Sequence, residues 1–172
     1  MNTILYEAPS SFSLEFLIIP AIMLIFIVLF PIIMKKSAEE KGTPIPREGL
    51  ILMKVFLTCA AIFILFLSVV VFMFQFNMYT KTVGAYYSGE YQTVEGYVEN
   101  FHPMPSDGKS KETFDINGVE FAYSDYNIHP GYNKSQYHGG VITGNGQHLK
   151  IKYVFFNETY GNIIMCIEEI RE

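Results

Sequence analysis

Apolar residues along the chain fall into two unbroken blocks, followed by a long stretch in which apolar and polar positions alternate. Residues 16–34 and 55–74 contain no charged side chain. At a helical rise of about 1.5 Å per residue, a block of this length covers roughly the 30 Å hydrocarbon core of a bilayer. The pattern therefore predicts two membrane-spanning helices, over 16–34 and 55–78, joined by a polar segment at 35–54. Pro20 and Pro31 both fall within the first helix, where each would remove a backbone donor and favour a kink.

Beyond residue 78 the period becomes two. Leu149, Ile151, Tyr153 and Phe155 share one face of a predicted strand, and Ile163, Met165 and Ile167 one face of the next, with a turn-rich segment at 157–162 between them. Residues 112–116 and 119–123 flank Asn117-Gly118, a dipeptide suited to the positive dihedrals of a type I′ hairpin turn. Residues 92–102 read as a long first strand, with Gly96 placed for a bend or bulge. Five strands with hairpin connections, and too little chain for a second sheet, predict a small closed or nearly closed barrel of the OB-like or SH3-like kind. The expected fold class is thus a membrane α-hairpin plus an all-β C-terminal domain at 91–172. Residues 1–15 read as a tail, and 79–90 as a connecting short helix or collar.

Charge orients this arrangement. Lys35, Lys36, Lys41, Arg47 and Lys54 lie between or at the edges of the two blocks, no Lys or Arg precedes the first, and only Lys81 closely follows the second. The positive-inside rule makes the 35–54 loop cytoplasmic and puts the N-terminal tail and the β domain outside. A cleaved signal peptide would carry basic residues ahead of the first block, and there are none. The expected location is the bacterial inner membrane, as a two-pass protein.

Composition narrows the function. Residues 79–172 hold 11 of the 12 Tyr, all four His, and 12 acidic against 7 basic residues. An acidic surface repels a phosphate backbone, which excludes nucleic acid as a partner. Cys59 lies in the second predicted helix and Cys166 in the last strand, so a disulfide between them contradicts the topology. No intramembrane charge marks a transport path. The four histidines follow no metal-binding spacing; His129, His138 and Asp125 form the one plausible trio and the candidate for a metal-assisted hydrolase, while Ser124-Asp125 with His138-Gly139-Gly140 suggests a hydrolytic arrangement that lacks a nucleophile elbow. No cofactor is expected. Residues 124–147 carry five glycines and no regular period, and a loop of that length in a small domain is a natural binding surface. Tyr126, Tyr132, Tyr137 and His138 are the candidate contact residues, since Tyr gives contact area at low entropic cost.

The residues Gly96-Tyr97-Val98-Glu99-Asn100-Phe101-His102-Pro103-Met104-Pro105, Glu112-Thr113-Phe114, Val119-Glu120-Phe121-Ala122-Tyr123-Ser124-Asp125 and His138-Gly139-Gly140 together resemble a small domain of uncharacterised bacterial membrane proteins. The resemblance covers roughly residues 90–170. It implies a compact β domain outside the membrane and carries no activity with it. The expected function is non-enzymatic: binding of another protein or envelope component, as an accessory subunit of a membrane complex. An immunity or exclusion factor is the alternative. The expected partners are the lipid bilayer and either another membrane protein or further copies of the same chain as a homo-oligomer.

Overall fold

The structure, a computed structural model, describes residues 2–105 and 110–171. It divides into two compact units, one comprising residues up to Phe12 and from Gln75 onward, the other Ser13–Phe74.

The second unit is helical. A 3-10 turn at Glu15–Leu17 leads into α1 (Ile18–Glu40), and α2 (Arg47–Tyr79) begins after a short polar link. No residue of α1 is buried, and in α2 only Met78, near its end, is. Both helices are long and apolar enough to cross a membrane. Pro31 lies inside α1, but Pro20 occupies its first turn, where a helix has no partner for the missing N–H. One kink site is therefore present instead of two.

Among the described residues, the β unit has seven strands in two antiparallel sheets. The first sheet has the order β1 (Thr3–Glu7), β7 (Gly161–Glu169), β6 (His148–Asn157), β2 (Gln92–Tyr97); the second runs β3 (Glu99–His102), β4 (Glu112–Ile116), β5 (Val119–Tyr123). Two features separate this from the expected five-stranded barrel. The predicted long strand over 92–102 breaks at Val98, whose N–H donates to Gln147 O (2.9 Å) and whose carbonyl accepts from Gly146 N (2.8 Å). Its first half then pairs with β6 and its second with β4. The other feature is β1, which comes from the predicted tail and pairs with β7. With β6 on one edge and β1 on the other, β7 has no edge left for β5, and the sheets do not close into a barrel. A side chain spans the gap instead, Asn162 Nδ2 donating to Glu120 O at 2.9 Å.

Two apolar clusters hold the unit together. Between the sheets lie Phe114 and Phe121, stacked at 5.0 Å, with Ile116, Leu149, Ile151, Ile164 and Ile167. The other cluster, Ala8, Val83, Tyr86, Ile163, Met165 and Cys166, covers the opposite face of β7. The β6–β7 register shifts between Lys152 and Tyr153, which pair with Cys166 and Ile164 and leave Met165 as an extra residue. That bulge is why Ile163 and Met165 sit in one cluster and Ile167 in the other, not on one shared face as simple alternation predicts.

The connector predicted at 79–90 is helical. A π turn at Thr80–Gly84 continues α2 into α3 (Ala85–Ser88), which stops at Gly89 with φ 87°, a left-handed conformation that glycine adopts without steric cost. Its tyrosines tie down the N-terminal segment: Tyr86 OH donates to Glu7 Oε1 (2.9 Å), Tyr87 OH to Ala8 O (2.8 Å) and Tyr79 OH to Ser10 O. Both cysteines are free, Cys59 exposed and Cys166 buried.

Candidate binding surface

Residues 124–147 have almost no regular structure, yet side chains order them throughout. The organising group is Glu112, at the start of β4. Alternation places Glu112, Phe114 and Ile116 on one face of the strand, and all three are buried. An isolated carboxylate in that position would cost several kcal/mol, which only hydrogen bonds can offset. Glu112 accepts them from Tyr123 OH (2.5 Å), from Gln136 N–H at both oxygens (3.2 and 3.0 Å) and from Met104 N–H (3.4 Å). It thereby holds the start of the 3-10 turn Gln136–His138.

A second carboxylate holds the preceding residue. Asp125 Oδ1 accepts from Ser135 N–H at 2.8 Å, and Oδ2 accepts from both Ser135 Oγ and His138 Nδ1, the latter at 2.7 Å. Partial burial works to raise the Asp125 pKa, but the bonds from Ser135 and His138 outweigh it and hold the carboxyl below its usual range. Elsewhere, Tyr132 N–H donates to Ile164 O (2.9 Å) and Asn133 Nδ2 to Asn127 O (2.9 Å). Gly131 lies so close to β7 that a Cβ there would sit 2.3 Å from Ile163 Cγ2 and 2.7 Å from Ile164 O.

Ser135, His138 and Asp125 superficially suggest a hydrolytic triad, but the geometry excludes a relay. A triad needs one imidazole nitrogen on the carboxylate and the other on the hydroxyl. Here His138 Nδ1 faces both Asp125, at 2.7 Å, and Ser135 Oγ, at 3.4 Å, while Asp125 itself receives the hydroxyl. Ser135 is also fully buried, so no substrate reaches it. Ser124 is buried too, and its hydroxyl donates to Met104 Sδ at 3.4 Å.

The metal trio does not assemble either. His138 and Asp125 are bonded to each other, but His129 turns away, its Nδ1 accepting from Gly131 N–H (3.2 Å) and its ring edge-on to Tyr160. Burial, reinforced by the charge of Lys111, lowers the His129 pKa to about 4. Among the described residues, no group of three or more His, Cys, Asp or Glu is placed to hold a metal ion.

Of the four expected contact residues, three face outward. Tyr126 and Tyr137 are 69% and 67% exposed, and His138 is exposed beside Tyr137, the rings 5.0 Å apart. Tyr132 is not a contact residue. It is buried, its ring edge-on to Tyr6 and Tyr123, and its hydroxyl accepts from Val141 N–H at 2.7 Å. Burial accordingly raises its pKa to about 12. Ile128, which the sequence pattern does not single out, is 73% exposed on the same loop. The missed anchor is Glu112, and the signal for it was its spacing of two and four from Phe114 and Ile116.

No family model matches this chain. Neither a curated protein nor a solved structure matches it significantly. The geometry of the loop and of the helices is thus what bears on function.

Proposed function

We propose that the chain is a non-enzymatic, two-span membrane protein whose β unit stands outside the cytoplasm and binds another protein or an envelope component, as the accessory subunit of a membrane complex. The observation that carries this reading is the display of Tyr126, Ile128 and Tyr137, exposed apolar side chains on a loop that Glu112 and Asp125 hold fixed. A fixed loop loses little entropy on binding, and large rings on such a loop are suited to a partner surface.

Membrane insertion is supported by α1 and α2, whose apolar side chains are uncovered almost throughout. Pairing of β1 with β7 requires the chain before α1 and the chain after α2 to be on one side of whatever the helices cross. The basic residues between the helices support the exterior as that side. The bacterial inner membrane is proposed on the resemblance of residues 96–105 and the segments that follow to bacterial membrane proteins.

The test is cross-linking in intact cells, followed by mild-detergent purification through a tag in the 35–54 loop. The expected result is one abundant membrane protein, lost when Tyr126 and Tyr137 are replaced by Ser. Recovery of the chain alone, or of the same proteins with both variants, overturns the accessory-subunit reading.

A further inference from the structure

In the β unit, Glu7, Tyr86, Tyr87, Gly89 and Tyr91 line an open cleft of about 270 Å³. Its walls are aromatic and set at angles to one another: Tyr86 and Tyr87 meet edge to face with centroids 5.0 Å apart, and Tyr86 and Tyr91 are 5.3 Å apart and tilted by 48°. Its one charged group is Glu7. That carboxylate has a hydrogen bond from Tyr86 OH on Oε1, and among the described residues no Lys, Arg or His forms an ion pair with it. Lys152 lies 5.8 Å from the Tyr91 centroid and is already paired with Glu168 at 3.0 Å. Gly89 leaves the rim open, with nothing within 4 Å of where a Cβ would be.

Three tyrosine rings lining a cleft beside a carboxylate that has no ion pair form an arrangement that attracts a bulky, weakly hydrated cation. A metal ion would need more oxygen ligands than one carboxylate supplies. A bare ammonium would lose hydration that phenol rings do not replace. We propose that this cleft binds an alkylated ammonium group, with the Tyr86, Tyr87 and Tyr91 rings as its walls and Glu7 as its counter-charge. The same chemistry is offered by the headgroup of a choline lipid and by a small free quaternary amine. This inference is independent of the partner surface at Tyr126 and Tyr137.

The experiment uses the full chain in maltoside micelles, with choline as the probe and dimethylbutanol, its uncharged carbon isostere, as the control, read by saturation transfer to the ligand methyl protons. Choline is expected to saturate and to bind at least about tenfold tighter than the isostere. Glu7→Gln and Tyr91→Leu, both at exposed positions, are expected to weaken choline by a similar factor with unchanged melting curves. Glu120→Gln, a remote change of the same kind, leaves binding as it is. Equal affinity for choline and the isostere, absence of saturation, or full binding by Glu7→Gln overturns the proposal. Repeating the titration in phosphatidylglycerol discs with and without phosphatidylcholine separates the sources. Weaker choline binding in the mixed discs identifies the lipid headgroup as the occupant, and equal binding identifies a free amine.

Discussion

One buried carboxylate ties the long loop to the second sheet. Glu112 joins β4, Tyr123 on β5, and the 3-10 turn that presents Tyr137 and His138. Removing it strands a buried hydroxyl and the Gln136 N–H at once, so Glu112→Ala is expected to cost about 3 kcal/mol in denaturant unfolding, and Tyr123→Phe about half of that. Acid acts on the same region in two steps. His129 is held at about 4 against an ordinary value of 6.5, so the unfolded chain takes up this proton first. Stability is therefore complete above about 6.5 and declines as the pH falls towards 4, by at most about 1.4 kcal/mol per pH unit for one proton. The lowered carboxyl of Asp125 adds a further loss only below the ordinary carboxylate range, as pH falls through its folded value. Urea titrations across pH 4 to 7 should show the first decline in the native chain and not in His129→Gln.

Among the elements, the hairpins were the most legible. Asn117 and Gly118 adopt φ of 47° and 77°, as Asn-Gly in a type I′ turn requires, and the β4–β5 and β6–β7 pairs follow from local alternation. What stayed hidden depended on distant partners. The five residues of β1 are recognisable as a strand only once β7 offers an open edge. The break at Val98 depends on Gly146 and Gln147, which reach it from the far end of the loop. Glu112 shares the i, i+2 face of Phe114 and Ile116, but the groups that make its burial tolerable, Tyr123 OH and Gln136 N–H, come from other segments. Tyr132 was misplaced because a Tyr amid polar loop residues gives no local sign that the loop folds inward. The tight approach of loop and sheet gives a sharp test: Gly131→Ala places a methyl against Ile163 and the Ile164 carbonyl. It is expected to destabilise the β unit by about 3 kcal/mol, whereas Gly118→Ala strains only an open turn and costs about 1. Paired thermal melts of the two variants check the order.

For the whole molecule, the two helices and the charge between them predict that residues 2 and 137 are labelled from outside the cell and residue 41 is not. Single-cysteine variants at these positions, in a background with Cys59 and Cys166 replaced, test this with an impermeant maleimide. Labelling of residues 2 and 137 from opposite sides would contradict the β1–β7 pairing itself.

That pairing also sets the timing of assembly. Asn2 meets Glu168, 166 residues away along the chain, across both helices and every other strand. Strand β1 is therefore made well before its partner and stays unpaired until β7 has been synthesised. Loop closure over such a span is slow relative to hairpin formation, and a chain arrested before β7 leaves β1 and β6 with open edges. Such a product displays unsatisfied backbone and apolar surface to its surroundings. Protection of the β1 backbone thus depends on the arrival of the distant end of the sheet.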